Sequence, residues 1–176
     1  MEISMSVNKK DDFKTIELNG EPVHYIDTDS EKTPILMVHG YPGRPQDFRW
    51  LNRPLCNHFR IIQIAMPGMG YTSLAACREP AMRNKADFII AFLEELAISS
   101  CWLLGHSITG VLATTLAASH PQRFERLILL NSVGLRKHRA IRNLPPKIIF
   151  KISQLPGIRT LTLPGIRRAF ISNGFP

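Results

Sequence analysis

Residues 101–120 have the sequence CWLLGHSITGVLATTLAASH. A short apolar run is followed by a serine that lies between two glycines, at 105 and 110, and then by small and apolar residues. The first part, CWLLGHS, is typical of a strand buried on both faces of a parallel sheet, and the second part is typical of a helix that ends at His120-Pro121. A serine at such a sharp turn projects its hydroxyl out of the sheet edge, and the helix N-terminus behind it favours negative charge. We therefore predict that Ser107 is a nucleophile, with a helix-capping serine as the structural alternative.

The alternation of strand and helix continues on both sides of this stretch. Short apolar runs predict three further buried strands, which are PILMVHG at 34–40, RIIQIA at 60–65 and RLILLNS at 126–132. Helical spacing of apolar residues predicts helices over 47–55 and 82–98, and FKTIELNGEPVHYIDT at 13–28 predicts a β-hairpin that turns at Asn19-Gly20. The order predicts an α/β fold with a doubly wound, mostly parallel sheet.

A second motif, HGYPG at residues 39–43, follows the first buried strand. A loop in this place can direct the backbone N–H of Tyr41 to the same point as the N–H of Ile108, which predicts an oxyanion hole with two donors. A Pro/Gly turn without a catalytic role is the alternative. The residues expected to support the loop and the strand–helix turn are His39, Gly40, Gly105, His106 and Gly110.

A third motif, AMPGMGYTS at residues 65–73, follows the RIIQIA run. In this order and spacing, HGYPG, PGMGYTS and GHSITG resemble the α/β-hydrolase superfamily over about residues 13–135. The resemblance implies that Ser107 is the nucleophile and that Tyr41 and Ile108 supply the oxyanion hole. No metal or organic cofactor is implied. The sequence departs from the family pattern at Ala65, where aspartate is usual, and at Thr109, where glycine is usual.

The acid and the histidine of a catalytic triad have no candidates at the places that the family uses. Both follow later strands in the family, and no acidic residue follows Glu125 in this sequence. Among the six histidines only His138 has no assigned place, and a surface role fits it better. We therefore expect a truncated hydrolase core that does not run the full reaction alone. Its 126–132 strand would expose an apolar edge, through which the chain would self-associate.

The charge of the chain changes after Glu125. The net charge is +8, but ten basic and no acidic residues follow Glu125, which leaves −2 for residues 1–125. The change predicts a boundary between a hydrolase core at 1–135 and a different, basic segment at 136–176. The resemblance implies that this segment is a partly helical, incomplete cap. The same segment could lie on an anionic membrane surface, which we rank second, and nucleic-acid binding is disfavoured because its basic residues lack interleaved aromatics.

The cysteine content and the hydropathy restrict the class of protein further. Cys56, Cys77 and Cys101 are far apart and lack CxxC spacing, so neither a zinc site nor a disulfide framework is predicted. No run approaches the roughly 20 apolar residues of a membrane span, and the N-terminus has no secretory apolar segment. We therefore expect a soluble cytoplasmic protein.

These patterns predict a serine hydrolase that acts on small carboxylic esters or related acyl substrates through an acyl-enzyme. Peptide, C–C or peroxy chemistry with the same nucleophile remains an alternative, because one fold hosts many reactions. Epoxide hydrolases and dehalogenases of this fold are disfavoured, since aspartate occupies their nucleophile position. A non-catalytic degenerate hydrolase, or a fragment that only binds a partner, is the alternative from another class.

Overall fold

The computed structural model describes residues 13–69, 71–77 and 82–133. The strands are β1 (Lys14–Leu18), β2 (Glu21–Asp27), β3 (Pro34–Val38), β4 (Arg60–Ile64), β5 (Cys101–His106) and β6 (Phe124–Leu130). The helices are α1 (Arg49–Leu55), α2 (Met82–Glu95) and α3 (Thr109–Ser119), with 3₁₀ turns at Pro45–Phe48 and Leu74–Ala76.

The first two strands form the predicted hairpin. Asn19 and Gly20 both have positive φ, 56° and 78°, which a two-residue turn with the twist of its strands requires. β2 then pairs antiparallel with β4, with Tyr25 opposite Ile64. The hairpin therefore extends the sheet.

The six strands form one sheet in the order β1-β2-β4-β3-β5-β6. β3 pairs parallel with both β4 and β5, and β5 pairs parallel with β6. This arrangement confirms the predicted mostly parallel α/β sheet. It also brings the carboxyl ends of β3, β4, β5 and β6 to the same edge.

Both faces of the sheet are covered by helices. Because side chains alternate along a strand, Ile35 and Met37 pack with Phe48 on the α1 face, whereas Leu36 and Val38 pack on the face of α2 and α3. This two-sided packing is the doubly wound arrangement that the sequence predicts.

Two helix boundaries and the burial of one strand differ from the sequence predictions. The first helix begins as a 3₁₀ turn and becomes α-helical only at Arg49, and α2 ends at Glu95 instead of continuing to 98 because Ala97 has a left-handed φ of 53°. The prediction that 126–132 is a buried strand is wrong in its burial, because β6 is mostly half-buried or exposed and lies at an end of the strand order.

The predicted cap segment, 136–176, lies outside the described residues, so the boundary after residue 135 stays a prediction. Within the described ranges, no helix is both long enough and apolar enough to cross a membrane.

Candidate active site

The candidate site lies where the strand order reverses, so that one strand is added on one side of β3 and the next on its other side. From β3 the chain goes to β4 on one side and then returns to β5 on the other side of β3. In open α/β sheets, a crevice forms outside the carboxyl ends of the two neighbouring strands at such a reversal, and it is the usual place of ligand sites. The HGYPG loop follows β3 and Ser107 follows β5, so both lie at this crevice.

Ser107 occupies a sharp turn between β5 and α3. Its φ is 57°, a left-handed conformation that non-glycine residues seldom adopt and that recurs at functional sites. Its N–H donates to Leu130 O at 3.0 Å, and its carbonyl accepts from the N–H of Val133 at 3.1 Å. The N-cap residue of α3 is Ile108 and makes no side-chain cap hydrogen bond. The turn is therefore held by the last residue of β6 and by the backbone that follows it.

Two glycines allow α3 to pack closely behind Ser107. A Cβ at Gly105 would lie 2.6 Å from Ala113 Cβ, and a Cβ at Gly110 would lie 1.9 Å from Ser132 Oγ. Both distances are shorter than any van der Waals contact. Glycine is therefore required at both positions in this packing. We call residues 105–110 the elbow.

The HGYPG loop contacts the elbow directly. A Cβ at Gly40 would lie 2.8 Å from Ser107 Cβ and 3.1 Å from His106 O, so the bare backbone of Gly40 packs against the serine. Tyr41 N–H belongs to the peptide unit that follows Gly40, and Ile108 N–H belongs to the unit that follows Ser107. Among the described residues, neither N–H donates to a backbone carbonyl. Both predicted donors thus lie in peptide units next to the same contact.

His39 holds the HGYPG loop through hydrogen bonds of its ring. It is fully buried; its Nδ1–H donates to Gly40 O at 2.9 Å, and its Nε2 accepts from the N–H of Met66 at 3.2 Å. Both bonds require the neutral imidazole with the proton on Nδ1. Burial lowers the pKa of His39, while the bond to Gly40 opposes that change. Because N–H and C=O of a trans peptide point in opposite directions, His39 directs the N–H of Tyr41 away from itself.

His106 precedes the serine and is half-buried. Its ring packs edge-on against Phe48, with centroids 6.2 Å apart. Burial lowers the pKa of His106, while the charge of Asp47 acts in the other direction.

Two further histidines, His58 and His120, follow the C-terminal ends of α1 and α3. Crossover helices run opposite to the parallel strands, so these two lie at the other edge of the sheet.

Thr109 is the residue of the site that sequence reasoning noted only as a departure from the family pattern. Its buried Oγ1 lies 2.8 Å from Val38 O and 2.8 Å from His106 O. The signal available in the sequence was a hydroxyl in the first turn of a helix whose neighbours are small. The sequence does not reveal that Val38 is its partner.

Neither a cluster of metal-ligating side chains nor the Cys101 thiol offers an alternative reactive centre in the part of the chain that the structure describes. Residues 13–69, 71–77 and 82–133 contain no group of three or more His, Cys, Asp or Glu side chains that could hold a metal ion. Burial raises the pKa of the Cys101 thiol to about 12, which keeps it protonated at neutral pH.

The strand order, the two-sided helix packing and the crevice between β3 and β5 define an α/β protein with hydrolase topology. The chain belongs to the alpha/beta hydrolase fold family, whose model matches residues 33–154.

Relatives with assigned names share this region. The chain is 29% identical over 120 residues to a Pseudomonas putida dihydrolipoyllysine-residue acetyltransferase component of an acetoin cleaving system, covering 68% of this chain and 32% of that protein. It is 34% identical over 105 residues to the 2-hydroxymuconate semialdehyde hydrolase of Pseudomonas sp. strain CF600, covering 58% of this chain and 37% of that protein. The chain spans about a third of the length of these two curated relatives.

A solved structure shows the same fold. The meta-cleavage product hydrolase of Pseudomonas fluorescens, solved as a serine-to-alanine mutant complexed with acetates, superposes with a TM-score of 0.65 at 25% identity. The match covers 70% of this chain and 46% of that protein.

Proposed function

We propose that this chain carries the nucleophile and the oxyanion hole of a serine hydrolase that acts on small carboxylic esters through an acyl-enzyme. The observation that carries the proposal is the left-handed φ of Ser107 at the end of β5, with the backbone of Gly40 packed against it. That combination supports a Ser107 hydroxyl that projects beside the N–H groups of Tyr41 and Ile108. Membership of a hydrolase fold family supports the same chemistry.

In the proposed reaction, Ser107 Oγ attacks the ester carbonyl carbon and the carbonyl oxygen becomes negatively charged. Tyr41 N–H and Ile108 N–H donate to that oxygen, and one such donor lowers the barrier by about 3 kcal/mol in comparable hydrolases. The alcohol leaves with a proton, and water then hydrolyses the acyl-enzyme. The half-buried Ser107 and the exposed side chains of Tyr41 and Ile108 support access of a small substrate to this point.

The proton of Ser107 Oγ needs an acceptor. His39 engages both ring nitrogens in backbone hydrogen bonds, and His58 and His120 lie at the opposite edge of the sheet. We propose, as the resemblance implies, that the histidine and the acid of the triad come from sequence outside this chain.

A second candidate reaction uses the same serine for C–C bond hydrolysis. It is favoured by the names of two similar proteins, the 2-hydroxymuconate semialdehyde hydrolase and the meta-cleavage product hydrolase. Comparing the turnover of p-nitrophenyl acetate with that of 2-hydroxymuconate semialdehyde would distinguish the two reactions.

A fluorophosphonate probe tests the nucleophile, because it labels only an activated serine. Because the proposed histidine and acid come from outside this chain, we expect the gene product extended beyond Pro176 to be labelled more than the chain alone, and Ser107→Ala to abolish that labelling. Ser119→Ala is the matched control, since Ser119 is an exposed serine at the end of α3. If neither form were labelled, the non-catalytic alternative would replace this proposal.

A further inference from the structure

The hydroxyl of Thr109 contacts the ends of two different strands. Val38 is the last residue of β3 and His106 is the last residue of β5, and both carbonyl oxygens lie 2.8 Å from Thr109 Oγ1. A hydroxyl has one proton, so Thr109 donates to one carbonyl at a time or shares its proton between them. A single side chain thus connects both strands that border the crevice.

This contact lies just beyond the end of the regular pairing between β3 and β5. The last paired residues in the ladder are Val38 and Gly105, and the chain leaves the sheet on both sides after them. On the other side of the elbow, two backbone hydrogen bonds join Ser107 to Leu130 and Val133. Thr109 supplies the corresponding connection toward β3, and it does so through a side chain.

Each of the two carbonyls belongs to a residue that lies shortly before one of the proposed oxyanion donors in the chain. Val38 is followed by His39, Gly40 and Tyr41, and the His106 carbonyl belongs to the peptide unit that contains Ser107 N. A change in the distance between Val38 and His106 therefore changes the distance between the two donor N–H groups. Glycine, which the family pattern usually has at position 109, offers no hydroxyl for this purpose.

We propose that Thr109 is a positioning residue whose hydroxyl fixes the separation of the HGYPG loop and the elbow, and with it the separation of the Tyr41 and Ile108 donors. The inference rests on the proposed function. The side chain is 5% exposed, so water does not replace the hydroxyl when it is removed.

The test compares Thr109→Val, which keeps the shape and removes the hydroxyl, with Thr109→Ser, which keeps the hydroxyl. Thr114→Val is the matched control, because the Thr114 hydroxyl also donates to a carbonyl of α3, Gly110 O at 2.9 Å, but contacts neither strand end. Hydrogen exchange of segments 38–42 and 104–110 measures whether the loops are held together. The second-order rate of fluorophosphonate labelling measures the effect on Ser107.

We expect T109V to speed exchange in both segments and to slow labelling by about 10- to 100-fold, the loss typical of a misplaced reacting group. T109S should stay within about threefold of the unaltered protein, and T114V should change neither measurement. Unchanged exchange in T109V would overturn the proposal, and so would faster exchange with unchanged labelling. Absence of labelling in both the unaltered chain and the gene product extended beyond Pro176 would refute the proposed function instead, while the exchange result would still decide whether Thr109 joins the loops.

Discussion

The missing side chain at Gly110 lets Ser132 pack against the first turn of α3. A Cβ at position 110 would lie 2.4 Å from Ser132 Cβ as well as 1.9 Å from its Oγ, so rotation of the hydroxyl alone does not relieve the overlap. We expect Gly110→Ala to lower the free energy of unfolding by about 1–3 kcal/mol, the usual result of overpacking. Urea unfolding followed by circular dichroism measures this change.

The companion variant is Ser132→Gly, which removes the two side-chain atoms that a Cβ at position 110 would overlap. In the S132G background, G110A should be neutral or stabilising by up to about 1 kcal/mol, because alanine has a higher helix propensity than glycine. A similar loss of stability from G110A in both backgrounds would show that the contact with Ser132 is not its cause.

The residues of the elbow differ in how well a sequence reveals them. Ser107 and its neighbouring glycines stand together in one motif, and the structure gives Ser107 the left-handed φ that such a turn requires. The role of Thr109 depends on Val38, which lies 71 residues earlier in the chain. No local pattern contains that pair, and only the order of the strands brings them together.

The hairpin is attached to the parallel part of the sheet by a partly buried ion pair. Asp27 at the end of β2 accepts hydrogen bonds from Arg60 Nε at 3.0 Å and from Nη2 at 2.6 Å, and its side chain is 1% exposed. Burial alone would raise the pKa of Asp27, but the hydrogen bonds from Arg60 oppose it and the net pKa is lowered. The ionised carboxylate therefore stabilises the fold.

We expect Asp27→Asn to lower the free energy of unfolding by about 2–3 kcal/mol at pH 7, because it leaves the Arg60 charge without its partner. A lowered carboxyl pKa contributes stability above the unfolded value of about 4 and loses it as the pH falls through the folded pKa. The difference in the free energy of unfolding between the unaltered protein and D27N should therefore shrink below about pH 4. Urea unfolding from pH 7 down to pH 3 measures it.

Asp29→Asn is the control for this ion pair. Asp29 contacts Lys14 but is 62% exposed, and exposed pairs contribute at most about 1 kcal/mol. Its φ of 47° also suits asparagine. If D27N and D29N lowered the free energy of unfolding equally, the stability could not be assigned to the Asp27–Arg60 pair.

Elements defined by local chemistry are the ones that the sequence predicts well. Asn19-Gly20 determines the hairpin turn because both residues accept positive φ. The sequence predicts the end of α2 too late because Ala97, an ordinary helix former, takes a left-handed conformation there. The predicted burial of β6 is wrong because its apolar sequence does not reveal which neighbours cover it.

The strand order places β1 and β6 at the two ends of the described sheet. The β1 end carries Lys14, Thr15 and Glu17, whose charged and polar side chains discourage further pairing. The β6 end carries Leu127, Ile128, Leu129 and Leu130 in succession, and Leu130 is 37% exposed. An apolar strand at an open edge is a template for pairing with another chain.

We therefore expect the purified chain to self-associate through β6, with an apparent mass in sedimentation velocity that rises with concentration. Leu130→Lys should weaken the association, because a charged side chain at a sheet edge opposes pairing. Trp50→Lys is the control, since Trp50 is 70% exposed on α1, away from β6. The association should persist at high salt, whereas contacts made by the basic residues after Glu125 would be screened. A monomer at every concentration, or equal effects of L130K and W50K, would refute pairing through this edge.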